Sequence, residues 1–221
     1  MLGKIRLVSS LLIALALISS LQAQSQTQID FRPLTQEMLN DPDPEDWLMW
    51  RGGYNNWGYS PLDQINRENV DQLRLAWSWT FAPAALGSNG MQVEPTVYDG
   101  IMYIRHSDEK YSAHNAATGD LIWQYSRPLP TEIVAGDTRL TVHRGRGVFI
   151  YEDKLISHAT DGTLFALNPS TGALLWESVM TDFRSGAQPS GAPVAFGGSV
   201  VVPYNCTAWT AADPCHMSAY D

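Results

Sequence analysis

Cysteine, basic residues and long apolar runs are all scarce in this sequence. Two cysteines in 221 residues are too few for a disulfide-built scaffold, and neither Cys206 nor Cys215 belongs to a Cys-x-x-Cys-His, so no c-type haem attachment motif is present. Lys and Arg number 14 against 23 Asp and Glu, a net charge of −9 with no compensating basic patch, which argues against a phosphate backbone as the main ligand. No nucleic-acid partner is expected. The five histidines, His106, His114, His143, His158 and His216, show no His-x-x-x-His spacing, and no Gly-x-Ser-x-Gly or phosphate loop occurs, so zinc-hydrolase, serine-hydrolase and nucleotide-binding patterns are missing. The one sustained apolar stretch, residues 7–21, is shorter than the roughly 18 to 20 residues that a membrane span needs.

That stretch follows Lys4 and Arg6 and ends at Leu21-Gln22-Ala23 before polar Gln24, the pattern of a secretory signal cut after Ala23. The expected division is a signal peptide over 1–23, an N-terminal extension over 24–45 and a folded region over 46–221. Loss of Lys4 and Arg6 leaves 12 basic residues against 23 acidic ones, so the exported protein is acidic and is not expected to be an integral membrane protein. In an oxidising compartment Cys206 and Cys215 are expected to form a disulfide. What the chain does have in quantity is 17 Gly, 13 Pro and 10% aromatic residues, a globular and turn-rich composition.

The strongest internal signal is a repeat. Residues 111–123 recur as residues 164–176, aligning Asn115 with Asn168, Thr118-Gly119 with Thr171-Gly172 and Trp123 with Trp176, every pair 53 apart. The offset extends back from Tyr151 to Tyr98 and forward from Ala166 to Ala219, where a third copy begins and the sequence stops. Each copy reads as short strands joined by tight turns, with Asp99-Gly100 as a two-residue hairpin turn and Asn-x-x-Thr-Gly as a second. A four-stranded sheet cannot bury its own faces, and an indole at one fixed place per copy suits a dock between neighbouring sheets. The expected fold class is therefore all-β, a β-propeller, of which two copies and part of a third are present. Propellers have four to eight blades, so the chain reads as the N-terminal part of a longer protein.

Residues 46–66, ending in Tyr59-Ser60-Pro61-Leu62-Asp63-Gln64-Ile65-Asn66 and followed by Asn69-Val70 and Leu75-Ala76-Trp77, resemble the opening of the pyrroloquinoline quinone (PQQ) dependent alcohol dehydrogenases, the family that includes methanol dehydrogenase. The resemblance implies an eight-bladed periplasmic propeller that binds PQQ and usually Ca²⁺ near its axis. It also implies two-electron oxidation of a small alcohol, with electrons passed to a cytochrome c-type acceptor. Three positions carry over to the quinone: Gln92, where the family has an acidic residue, Arg146 in Arg146-Gly147-Val148, and Ser190, where the family has Thr. Arg146 is the strongest candidate, because a guanidinium pairs bidentately with a carboxylate and PQQ has three. The family's adjacent cysteine pair falls on Leu140 and Thr141, so a stacking disulfide is absent. The metal-ligand Glu falls by simple counting on Ala208; Asn205 or Asp213 offers a hard oxygen instead, and no metal ligand is assigned. The catalytic aspartate is expected after Asp221.

Two other readings compete with the enzyme. One is a non-catalytic propeller scaffold built from the same repeats, favoured by Gln92, Ala208 and the missing cysteine pair but opposed by the 59–66 string and Arg146. The other is a membrane-type sugar dehydrogenase, which would place several apolar spans before the propeller.

Overall fold

The computed structural model describes residues 29–80, 92–106, 109–134, 146–185, 187–206 and 216–221. Its framework is three four-stranded antiparallel sheets that follow one another along the chain. Blade 1 is β1 (Thr96–Tyr98), β2 (Ile101–Arg105), β3 (Lys110–Asn115) and β4 (Leu121–Ser126), paired in that order. Blade 2 repeats it as β5 (Phe149–Tyr151), β6 (Lys154–His158), β7 (Thr163–Leu167) and β8 (Leu174–Val179). Each strand of blade 2 starts 53 residues after its counterpart, and even the register shift of the third strand recurs, after Ala113 and after Ala166. Blade 3 holds β9 (Ala187–Pro189), β10 (Val194–Phe196), β11 (Ser199–Cys206) and β12 (Met217–Tyr220); β10 and β9 pair with successive halves of β11. The third copy of the repeat, at Ala219, is β12.

The hairpin turns follow their sequence signals. Asp99 and Gly100 both have positive φ, 50° and 73°, and close the pair Tyr98 with Ile101. In the second turn Asn115 Oδ1 accepts from the amides of Ala117 (2.9 Å) and Thr118 (3.1 Å), and Asn168 Oδ1 does the same for Ser170 (2.9 Å) and Thr171 (3.1 Å). The glycine ending each turn has a left-handed φ, 77° at Gly119 and 70° at Gly172. Neither could carry a side chain: a Cβ at Gly119 would lie 2.6 Å from the Trp77 ring, and one at Gly172 would lie 2.5 Å from the Trp123 ring. Each indole also donates from Nε1 to a carbonyl of the turn it covers, Trp77 to Ala116 (3.1 Å) and Trp123 to Pro169 (2.7 Å). The repeat's tryptophan is thus seated on the turn of the following blade.

The main core lies between blades 1 and 2. Every residue of β7 is buried and only the two ends of β3 are not, because these central strands are covered on both faces, whereas β8 is almost wholly exposed. Tyr98, Tyr103, Tyr111, Phe149 and Phe165 fill this core, and a smaller cluster of Ile156, Leu164, Val202 and Tyr204 joins blade 2 to blade 3. The segment preceding residue 46 contributes to the same core. Leu34 pairs with Glu152 (2.9 and 3.0 Å), and a one-turn helix α1 (Gln36–Asn40), capped by Thr35, buries Leu39 completely. Trp47 then pairs with Val97 on the free edge of β1 at 2.8 Å in both directions. The described part of the 24–45 extension is therefore packed with the blades; residues 24–28 lie outside the described residues. No helix among the described residues is long and apolar enough to cross a membrane.

Blade 1 also contains a buried line of polar side chains. His106 Nε2 and His114 Nε2 lie 2.7 and 2.8 Å from Ser112 Oγ, and His114 Nδ1 lies 3.2 Å from the Gly119 carbonyl, which it can only donate to. Burial lowers the His114 pKa, partly opposed by that carbonyl.

Two outcomes are expected for the intact protein. Gly172→Ala forces a left-handed alanine against the Trp123 indole and should cost at least ~1–2 kcal/mol, read as a fall in Tm. For His114, a folded-state pKa below the unfolded value of about 6.5 means that the unfolded chain binds more protons as pH falls through that range, so stability declines below about pH 6.5 and is full above it. The His114→Gln variant should show a smaller loss of Tm between pH 7.5 and pH 5.5 than the parent protein; an equal loss would assign the dependence elsewhere.

Candidate functional site

The three blades converge at the N-terminal ends of their inner strands. Thr96 at the start of β1 donates from Oγ1 to the Val148 carbonyl (3.0 Å), just before β5. Gly147 lies between its two neighbouring blades: a Cβ there would stand 3.3 Å from the Glu94 carbonyl, just before β1, and 3.9 Å from Ala192 Cβ, between β9 and β10. Segments 92–95, 146–148 and 190–193 are thereby brought together.

Residues 49–56, from the family-like opening segment, fold over this junction. Glu94 holds them: its carboxylate accepts from the Trp47 indole and from the Arg51 amide (3.2 Å). Tyr54 ties the far end to blade 3 by donating its hydroxyl to the Ala195 carbonyl at 2.5 Å. Burial pushes the Tyr54 phenol above its ordinary pKa, so it stays protonated as a donor.

Between this cover and the inner strands lies a cleft of about 390 Å³. Its walls are largely apolar, with Met49 and Trp50 from the cover, Val148 and Phe149 from blade 2, and Pro193 and Val194 from blade 3. Asn56 supplies an amide, and Arg146 is the only charged residue among the described residues lining it. The Arg146 side chain is exposed and makes no hydrogen bond or ion pair with the described residues. A guanidinium with no counter-charge among the described residues, in a cleft with aromatic walls, suits a flat anionic ligand.

Of the three residues singled out from sequence, Arg146 is in the cleft. Ser190 is half-buried beside Gly191, a lining residue, and its amide donates to the Pro203 carbonyl (3.0 Å), but Ser190 itself does not line the cavity. Gln92 is exposed and is not among the lining residues, while its neighbour Glu94 is engaged in anchoring the cover. Leu140, Thr141, His143, Arg144, Ala208, Asp213 and Cys215 lie outside the described residues; Cys206 and Asn205 are described only as strand backbone, so the expected disulfide lies outside them too. Among the described residues no group of three or more His, Cys, Asp or Glu could hold a metal ion. Residue-by-residue reading did not mark Trp50, Tyr54 or Asn56 as site residues, although all three belong to the conspicuous 46–66 string.

Comparison with known proteins agrees with this architecture. Residues 47–178 match the family model described as PQQ, glucose/ethanol/alcohol dehydrogenase, beta-propeller domain. Quinoprotein alcohol dehydrogenase PedH of Pseudomonas putida is 32% identical over 167 residues, 75% of this chain and 27% of that protein. Among solved structures, quinohemoprotein alcohol dehydrogenase ADHIIG of Pseudomonas putida superposes with a TM-score of 0.74 at 28% identity, covering 86% of this chain and 28% of that one. A europium-containing methanol dehydrogenase does so with a TM-score of 0.70 at 29% identity, covering 84% and 31%. The chain thus spans roughly a quarter to a third of the length of these relatives. With the matched region covering both complete repeats and the cover of the cleft, this chain belongs to the PQQ-type glucose/ethanol/alcohol dehydrogenase β-propeller family.

Proposed function

We propose that the intact protein oxidises a small alcohol to an aldehyde or ketone in the periplasm, using PQQ held at the Arg146 cleft together with Ca²⁺ or another cation, and passes the electrons to a cytochrome c-type acceptor. The observation that carries this reading is the Arg146 guanidinium, unpaired among the described residues, in a cleft walled by Trp50 and Phe149. Family membership supports the quinone, and the relatives named as quinoprotein and quinohemoprotein alcohol dehydrogenases support the alcohol. The europium-containing relative supports a cation. The apolar stretch behind Lys4 and Arg6 supports export.

The residues present fit such a group. Arg146 can pair bidentately with one carboxylate, and the apolar and aromatic walls offer surface to a flat ring system. The absence of a side chain at Gly147 leaves room for the Glu94 carbonyl at the junction of the blades. Bound PQQ supplies the two-electron acceptor chemistry, which no side chain provides. The metal ligands and the general base are assigned to none of the described residues.

The test is PQQ titration of the intact, cofactor-free protein, followed by quenching of tryptophan fluorescence. Arg146→Ala should weaken binding by about 2 kcal/mol, roughly 30-fold, and Arg146→Lys should recover part of it. Equal affinity in Arg146→Ala and the parent would remove the role given to this guanidinium. No uptake by the parent protein would favour the scaffold reading over the enzyme.

A further inference from the structure

One rim of the cleft is held by a side chain that never reaches the cavity. Gly191, which lines the cleft, points its carbonyl at His158 Nε2, 2.5 Å away at the end of β6. His158 is 1% exposed, and its other nitrogen, Nδ1, lies 3.4 Å from Arg105 Nη1. A guanidinium has only donors and a carbonyl only accepts, so the ring between them must accept at Nδ1 and donate at Nε2. These two contacts therefore select the neutral Nε2–H tautomer.

Arg105 is equally buried and equally fixed. Its Nη2 pairs with Glu109 Oε1 at 2.7 Å, and Glu109 also accepts from the Thr160 amide (3.0 Å), the Thr160 hydroxyl (2.6 Å) and the Tyr111 hydroxyl (2.8 Å). The guanidinium thus faces a carboxylate on one side and the imidazole on the other. The positions are equivalent in the blades: Arg105, His158 and Pro203 each stand four residues after the start of β2, β6 and β11. Pro203 completes the line, since its carbonyl accepts from the Ser190 amide (3.0 Å) and its ring would meet a Cβ on Gly191 at 3.2 Å.

We propose that His158 is a positioning residue of the cleft: as a neutral imidazole braced by Arg105, it pins the Gly191 carbonyl and so holds the 190–193 rim in the shape that receives the ligand of Arg146. The identity of that ligand as PQQ rests on the function proposed above; the positioning of the rim does not.

The experiment compares the intact parent protein with His158→Gln, which keeps an acceptor and a donor, and His158→Leu, which keeps neither. Backbone amide exchange over residues 190–196 reads the rim directly, and PQQ titration by tryptophan quenching reads the cleft. In His158→Leu, exchange over 190–196 should accelerate at least tenfold while β6 and β7 keep their protection, and PQQ affinity should fall at least tenfold. His158→Gln should stay within about threefold of the parent in both. Unchanged exchange in His158→Leu, or equal impairment of the Gln and Leu variants, would overturn the proposal. Should His158→Leu not fold, His158→Asn replaces it, since its shorter amide cannot bridge both contacts; Asn and Gln both behaving as the parent would likewise overturn it. A parent protein that takes up no PQQ would remove the cofactor reading, while the exchange contrast would still decide the role of His158.

Discussion

The contact on which the rest of this structure depends is an indole laid against a glycine that has no room for a side chain. Trp123 leaves blade 1 and covers Gly172 of blade 2, as Trp77 covers Gly119 of blade 1. A turn needing left-handed φ makes glycine the low-strain residue, the bare glycine admits the ring, and the ring's Nε1 satisfies a turn carbonyl. One device therefore ends a hairpin, sets the spacing between sheets and excludes water from their outer margin. The glycines it covers stand 53 residues apart, as the strands do, and the ends of the blades' inner strands meet at a common place.

Behind that contact the interface between blades is unusually polar for its depth. Arg105 and Glu109 are each 1% exposed, a burial that would be costly for either alone. It is tolerated because Glu109 receives donors from Arg105, Tyr111 and Thr160, drawn from both blades. Nearer the surface Arg127 reaches from blade 1 to Asp161 (2.9 Å) and Glu177 (2.8 Å) of blade 2 while lying over the Phe165 ring. Directional bonds of this kind resist sliding of one sheet over another in a way that apolar packing does not, and that matters for a cleft whose walls come from separate blades.

The cleft is a product of three distant stretches of chain. Trp50 and Tyr54 are about a hundred residues from Arg146, and blade 3 adds its rim still later. Glu94 holds the cover through Trp47 and Arg51, Tyr54 grips Ala195, and His158 grips Gly191. Apart from Tyr54, which itself lines the cleft, these anchors are side chains outside it, consistent with the general need of a binding site for a rigid supporting shell.

Much of the fold was legible from local chemistry. Asp99-Gly100, the two Asn-x-x-Thr-Gly turns and the 53-residue period specify strands, turns and repeating sheets, because turn propensity and alternation act between near neighbours. Arg146 was legible as a candidate through the resemblance that its motif carries, and it lines the cleft. Gln92 and Ser190 show the limit: counting from a motif finds a position next to a strand, Gln92 before β1 and Ser190 after β9, but whether that side chain enters a cavity depends on how neighbouring sheets pack. The partnership of Arg105 with His158 was invisible in sequence, since a buried charge next to an imidazole has no local signature. Sequence by itself determined the blade, its turns and its period; tertiary structure alone decided which blade-end groups face one another, because those contacts join residues about fifty to a hundred and forty positions apart that meet only when sheets stack.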